Sequence, residues 1–591
     1  MPPYLNVAIG QISPRKADYA LNLQQLGALF ERVDRMTPRP QVLHLPETAL
    51  TGYFLEGGTE EVALTAGTLA SDLQRIYTSA AAALPLDVVL GFYERWQGIL
   101  YNSAMYVTLG PNGPTIRHVH RKTFLPTYGL FDEERFVERG HDIRAFDTPW
   151  GRAGILVCED LWHGLPATIE ALDGAQILFV PSAAPARGIW PRDDGVPGPA
   201  TVSRWERLVR GTAEEHGIYV LYTNLVGMEG GKAFIGDSLI VGPAGDVRAR
   251  APLFQPALIT QTIDLADIGR ARADTPLLAD LRTALPYLRD ALARVGGARA
   301  AVSYDPAAIE PQGDACRPSG GPPPLAIDAP LVERWLTTFI RDELARRGFE
   351  KAVIGLSGGV DSAVTAFLAA KALGPENVIG VRMPYRTSNP ESLEHAELVI
   401  DAVGIESRTI DISPAVDGYL QGEPDADPAR RGNVMARQRM IVLFDLSARY
   451  DALPLGTGNK TERLFGYFTW HADDSPPINP LGDLFKTQVW ALARHLGVPD
   501  VIVHKPASAD LIRGQTDEAD FGISYGKADA ILNWLLAGYS PAELTTRGFV
   551  PEEVDLVYKR LSGTHWKRRL PTVALLSQSG IGESYLRPVD Y

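Results

Sequence analysis

Two short stretches carry residue types that do chemistry. In AVIGLSGGVDSA (352–363) an apolar run enters a glycine pair and then helix-forming sequence. Such a turn aims the backbone amides of Ser357 to Val360 and a helix N-terminus at an anion. Gly358 and Gly359 let phosphate oxygens approach with no Cβ in the way, and Ser357 and Ser362 add hydroxyl donors. A kinase-type loop, G-x-x-x-x-G-K-[ST], would carry a lysine; here the loop carries Asp361 instead. A carboxylate beside polyphosphate is repulsive unless a divalent cation lies between them, so Asp361 predicts Mg²⁺. A lone glycine pair of this kind also reads as a plain strand–helix turn with no ligand.

The second stretch is GILVCEDLW (154–162), which puts Cys158 at the end of an apolar strand, a favoured site position in open α/β sheets. A thiol nucleophile needs a base and a cation nearby. Glu47 follows the apolar run in HLPETALTGY and Lys122 follows another in HRKTFLPTYGLF. Glu47 can take the thiol proton and Lys122 can stabilise an oxyanion, together with the amide after Cys158. Glu133, in GLFDEERF, can orient the lysine or the leaving amine. The competing reading is a small buried apolar cysteine and a buried, paired glutamate and lysine.

Both stretches sit in α/β patterns. From 1 to about 270, β-type runs (LNVAIGQI, QVLHLPE, DVVLGFY, NSAMYVTL, AGILVCE, AQILFVPS, IYVLYTN) alternate with amphipathic segments such as 19–36 and 202–216. A Pro- and Gly-rich stretch at 304–324 marks a linker region, 271–325, in which 275–295 is helix-like. From 326 to 591 a βαβαβ pattern predicts a parallel, doubly wound sheet. The net charge of −14 argues against a general nucleic-acid or membrane-surface binder. Only two cysteines occur, Cys158 and Cys316, which fits a reducing compartment better than a disulfide framework. The start, MPPYLNVAIGQISP, reads as a first strand rather than a signal peptide, and no run approaches the length of a membrane span. The expectation is a soluble cytoplasmic protein.

SGGVDS resembles the pyrophosphate loop of the ATP pyrophosphatases, which cleave ATP between the α and β phosphates. The later blocks VRMPYRTSNPES (381–392), GNVMARQRM (432–440), LGTGNKTERLFGYFT (455–469), LGDLFKTQVWALARHLGVP (481–499) and PASADLIRGQTDEADFGIS (506–524) resemble the NAD synthetases in order. That resemblance implies adenylation of the nicotinate carboxylate of deamido-NAD and displacement of AMP by ammonia. By it, Asp361 and Glu462 bind Mg²⁺. The loop 357–362, Arg382, Thr457, Lys486 and Ser508 bind ATP. Asn433, Arg437, Glu462, Trp470, Asp473 and Lys567 hold deamido-NAD. The substrate loop reads GYFTWHADD (466–474), with Ala472 where the family has a glycine.

The Glu–Lys–Cys order, with NLVGMEGGKAFIGDSLIVGPAGDVRA (224–249) as closing segment, resembles the nitrilase, or carbon–nitrogen hydrolase, superfamily. It implies Glu47 as base, Lys122 as stabiliser, Cys158 as nucleophile, and Tyr128 and Ser182 as glutamine contacts. In PSAAPARG (181–188), Ala184 stands where glutamine-using relatives tend to carry serine. Together the halves resemble the glutamine-dependent NAD synthetases. This implies an N-terminal αββα sandwich that frees ammonia from glutamine, a C-terminal ATP-using sheet, internal passage of ammonia, and a homo-oligomer, dimeric or larger. Two rivals stay open: an amidotransferase-ligase acting on another carboxylate, and an amidohydrolase with a nucleotide-sensing domain.

Overall fold

The computed structural model describes residues 4–55, 58–80, 84–192, 194–296, 321–508 and 516–568. Cys316, most of the predicted linker loop and the end of the chain lie outside them. The described residues fall into two compact units, one of 4–187 and 200–296, the other of 188–199 and 321–568.

The first unit is built on two six-stranded sheets. In chain order its strands are β1 (Tyr4–Gln11), β2 (Val42–His44), β3 (Leu86–Trp96), β4 (Ile99–Leu109), β5 (Thr115–Arg121), β6 (Phe146–Thr148), β7 (Gly151–Ile155), β8 (Ile177–Ser182), β9 (Tyr219–Asn224), β10 (Val226–Glu229), β11 (Lys232–Ile235), β12 (Leu239–Val241), β13 (Val247–Arg250) and β14 (Ala257–Asp264). One sheet runs β14-β1-β2-β3-β4-β5 and the other β13-β12-β9-β8-β7-β6, with β10 and β11 as a separate hairpin.

The two-residue period of a strand explains the layering. Leu5, Val7 and Ile9 of β1 join Val42 and Val89 in the core shared with Ile155, Leu178 and Leu221 of the second sheet. The intervening Ala8, Leu43, Val88 and Leu90 pack on Leu26, Phe30, Leu73 and Tyr77 of the outer helices Tyr19–Asp34 and Ala66–Ala80. This is the expected αββα arrangement. The seven apolar runs of the sequence are β1, β2, β3, β4, β7, β8 and β9. The strand β5 was hidden because TIRHVHR is polar and the side chains it buries are two histidines, His118 and His120, as an edge strand can allow. The helix Leu277–Gly296 lies in the predicted linker region and packs on the helices Gly164–Leu172 and Ala200–His216.

The second unit holds four parallel strands, β15 (Lys351–Gly355), β16 (Val378–Arg382), β17 (Glu406–Thr409) and β18 (Ala452–Pro454), ordered β17-β16-β15-β18. The order reverses between β15 and β18, so their carboxyl ends flank the switch point where such sheets bind ligands. The loop SGGVDS leaves one and LGTGN leaves the other. Segment 188–199, read in the sequence as part of the first domain, belongs to this unit: Ile189 packs on its core and its carbonyl accepts from the Asp328 amide at 2.7 Å. Among the described residues, no helix is long and apolar enough to cross a membrane.

Gly91 on β3 shows how tightly the first unit is built around Glu47. A Cβ there would lie 2.4 Å from Glu47 Cα and 2.7 Å from the Thr48 amide nitrogen, both backbone atoms that cannot swing away. Gly91→Ala should lower the stability of this unit by about 1–3 kcal/mol, the usual range for overpacking. Thermal unfolding of the purified protein measures it; an unchanged midpoint would show that the strand yields freely.

Candidate active sites

In the first unit a buried lysine sits between two buried carboxylates. Lys122 directly follows β5, and its Nζ donates to Glu47 Oε1 at 2.8 Å and to Glu133 Oε2 at 2.7 Å. All three side chains are buried. Asn102 of β4 donates to Glu47 Oε1 at 2.7 Å and also reaches Glu133 Oε1. The Tyr53 hydroxyl donates to Glu133 Oε2 at 3.2 Å, and the Ala183 amide to Glu47 Oε2 at 2.7 Å. Burial alone would push the Lys122 ammonium down; Glu133 and Glu47 overturn this and hold it well above the usual lysine range.

Cys158 lies three residues beyond β7, at the head of the short turn Cys158–Trp162, with φ of +47°. This left-handed backbone is rare for a residue with a side chain, costing about 1–2 kcal/mol. Burial pushes the thiol well above its ordinary range and Glu47 pushes it further, while Lys122 and a hydrogen bond from the Ala183 amide act the other way. Burial thus favours the thiol of Cys158 over its thiolate, which for a cysteine that attacks a substrate suits proton transfer during attack rather than before it.

The structure brings Glu47, Lys122, Glu133 and Cys158 together. The Tyr128 hydroxyl donates to the carboxylate of Glu159, the residue after Cys158, at 3.0 Å. The Ser182 hydroxyl is fully buried and turned back to the Val180 carbonyl at 3.4 Å. Asn102, Tyr53 and the Ala183 amide complete the site and were not found from sequence.

In the second unit the helix Val360–Leu373 starts at the phosphate loop, with Gly359 as its cap residue. Gly358 has φ of +73°, and a Cβ there would lie 2.2 Å from the Ser392 carbonyl oxygen, so the position requires glycine. Ser357 and Ser362 hydroxyls are 3.1 Å apart, and the Ser357 oxygen accepts from the Gly359 amide at 3.3 Å.

Lys486 is again a buried lysine between carboxylates: its Nζ donates to Asp361 Oδ2 at 2.5 Å and to Glu462 Oε1 at 3.3 Å. Burial pushes the Glu462 carboxyl up to about 7 against the pull of Lys486. Asn459 donates to Asp361 Oδ1 at 3.0 Å, and the Tyr525 hydroxyl meets Glu462 at 3.2 Å and Asp517 at 2.9 Å. Asn459 and Glu462 form a capping box, and that N-x-x-E spacing in GNKTE was a readable signal.

Two hard carboxylates that converge on one cation suit Mg²⁺, which takes one or two protein carboxylates and completes its shell with phosphate oxygens and water. Among the described residues no set of three or more His, Cys, Asp or Glu forms a dedicated metal cage. Thr457 is half-buried on the loop after β18, Arg382 pairs with Glu397, and Ser508 is exposed.

The loop 466–474 gathers most of the remaining residues. Asn433 Oδ1 accepts from the Thr469 hydroxyl at 3.0 Å and Asp473 from the Thr469 amide at 2.8 Å. Arg437 donates to the Trp470 carbonyl at 3.2 Å, and Lys567 to the carbonyls of Gly466 and Phe468 at 2.9 and 3.2 Å. Trp470 packs edge-on to Trp566, their rings 5.4 Å apart. Glu462 faces Asp361 and Lys486 instead of this group.

A buried Glu–Lys–Cys group in an αββα sandwich and a lysine-free phosphate loop in a doubly wound sheet define an amide-cleaving unit and an ATP-using unit on one chain. Residues 6–273 match the carbon–nitrogen hydrolase family and 332–571 the NAD synthase family. The chain is 49% identical over 268 residues to the NH3-dependent NAD(+) synthetase of Trichlorobacter lovleyi, spanning 45% of this chain and 98% of that protein. It is 47% identical over 269 residues to that of Chlorobaculum parvum, spanning 45% and 97%. The chain therefore belongs to the NAD synthetase family, with a carbon–nitrogen hydrolase half ahead of the synthetase half. The same two-part fold occurs in the glutamine-dependent NAD+ synthetase of Acinetobacter baumannii, with a TM-score of 0.69 and 22% identity over 99% of this chain and 98% of that one.

The raised thiol makes a specific pH dependence. Alkylation of Cys158 by iodoacetamide, followed on its own peptide by mass spectrometry, should keep rising past about pH 8.5, the midpoint of a free thiol. Glu47→Gln removes a repelling charge, so its curve should shift to lower pH. A plateau below pH 8 in the unaltered protein would contradict a burial-raised thiol.

Proposed function

We propose that this chain makes NAD from deamido-NAD, ATP and glutamine. The observation that carries the reading is the pairing, on one chain, of a buried Cys158–Glu47–Lys122 group with an Asp361–Glu462–Lys486 group at a phosphate loop. The relatives' names supply ammonia, glutamine and the product NAD, and the resemblance of the sequence blocks supplies deamido-NAD and ATP. Synthetases called NH3-dependent align with the C-terminal half alone, and an added amide-cleaving half is a source of that ammonia.

At the first site Cys158 attacks the glutamine side-chain carboxamide as Glu47 takes the thiol proton. Lys122 faces the developing oxyanion. The C–N bond breaks, Glu47 returns the proton to the leaving nitrogen, and ammonia departs from a thioester. Water then splits the thioester, giving glutamate and the thiol. Glu133 holds Lys122 charged and in place.

At the second site the residues 357–362, Arg382, Thr457, Lys486 and Ser508 bind ATP, and Asn433, Arg437, Trp470, Asp473 and Lys567 position deamido-NAD. Asp361 and Glu462 would hold Mg²⁺, whose chemistry is to offset charge on the phosphates. The deamido-NAD carboxylate takes AMP and releases pyrophosphate; ammonia then displaces AMP. Passage of ammonia inside the protein, rather than through water, avoids its protonation. Residues 1–270 form the amide-cleaving half and 326–591 the synthetase half. The two-cysteine acidic composition favours the cytoplasm, and the family favours a homo-oligomer.

NAD formation with each nitrogen source is the test. Cys158→Ala should abolish glutamine-driven synthesis and keep ammonium-driven synthesis, while Asp361→Ala should stop both. ADP and orthophosphate in place of AMP and pyrophosphate would defeat the reading, and glutamine-driven turnover by Cys158→Ala would defeat the nucleophile assignment.

A further inference from the structure

Cys158 and Lys122 come from different stretches of chain, 36 positions apart, and neither touches the other's backbone through the strand ladder: β5 lies at the edge of one sheet and β7 in the other. Something must hold the two in register to well under an ångström. One buried carboxylate does so. Asp160 is fully buried two residues after the nucleophile. Its Oδ1 accepts from the amides of Thr123 at 3.0 Å and Phe124 at 2.9 Å, the two residues after Lys122. Its Oδ2 accepts from the Val157 amide at 3.1 Å, the residue before Cys158, and pairs with His120 Nε2 at 2.8 Å, two residues before Lys122. His120 Nδ1 is buried without a hydrogen-bond partner among the described residues, which favours the tautomer with its proton on Nε2, donating to Asp160.

We propose that Asp160 is the positioning residue of the amide-cleaving site: its four hydrogen bonds clamp the Lys122 strand end to the Cys158 turn and hold the nucleophile in its left-handed backbone conformation. The clamp accounts for two otherwise separate facts. Cys158 keeps φ of +47° although it is not glycine, and the amides of Thr123 and Phe124, just past the end of β5, find a charged acceptor inside the protein. Asp160 acts through other residues and needs no contact with substrate. The inference rests on the reading of Glu47, Lys122 and Cys158 as the amide-cleaving group.

Asp160→Asn separates the two arms of the clamp. The amide oxygen can still accept from Thr123 and Phe124, but the amide nitrogen then faces the Val157 N–H, donor against donor, so the Cys158 turn is released while the Lys122 end stays held. Glutamine-driven turnover should fall about 100-fold in kcat, the scale of a misplaced reacting group, with KM for glutamine within about threefold and ammonium-driven NAD synthesis unchanged. A kcat within threefold of the unaltered enzyme overturns the proposal. So does a parallel loss of ammonium-driven synthesis, which would make Asp160 a general structural residue. If Asp160→Asn cannot be recovered folded, His120→Gln carries the test, since it leaves the three amide bonds intact. It should lower kcat about tenfold at constant KM, and an unchanged kcat overturns the clamp. An unaltered enzyme that cleaves no glutamine defeats the site reading itself and this inference with it, a result distinct from a variant that stays fully active.

Discussion

The architecture depends on making a buried ammonium tolerable. An unpaired lysine costs several kcal/mol to strip of water, and breaking such a pair leaves the partner charge exposed to the same cost. Lys122 is fully buried and survives as a cation only because Glu47 and Glu133 stand on either side of it. Each carboxylate must in turn be fixed, which Asn102, Tyr53 and the Ala183 amide accomplish from three other parts of the chain. These groups come from a strand interior (Asn102), a loop (Tyr53), a short helical turn (Glu133) and the residues just past strands (Lys122 and the Ala183 amide).

The second unit solves a related problem in the same way. Lys486 is nearly fully buried and meets Asp361 and Glu462, with Asn459 and Tyr525 as the outer donors. The chemical demands differ. On the proposed reading, Glu47 of the first unit must move a proton while it stays hydrogen-bonded to Lys122. In the second, on the same reading, the bracketing carboxylates are the residues suited to a cation and Lys486 stands beside them to meet phosphate charge. Two unrelated sheets have thus arrived at lysine–dicarboxylate groups because low-dielectric sites that handle anions need a positive charge they can keep.

Much of this was readable in the sequence, for a physical reason. Glu47 and Cys158 follow apolar runs closely, so the same residues that announce a strand also place the reactive group at its end; Asp361 stands five residues past such a run, and Lys122 follows the polar strand β5 and was legible only from its flanking block HRKTFLPTYGLF. The supporting shell was not readable. Asn102 opens NSAMYVTL, where it looks like an ordinary strand polar residue, and its two partners lie 55 and 31 positions away. Tyr53 and the Ala183 amide likewise matter only once the sheets are stacked. A polar edge strand such as β5 hides for another reason, because the side chains it buries are His118 and His120 and leave no apolar alternation. Segment 188–199 carries no sign in its composition of which unit it joins.

The left-handed backbone at Cys158 has an evolutionary consequence. Glycine would sit there without strain, and selection for a sturdier fold alone would drift toward it. On the proposed reading, the thiol persists only while glutamine use is under selection. In lineages that obtain ammonia elsewhere, this turn is where the sandwich can relax first, surviving as a stable shell with its chemistry gone.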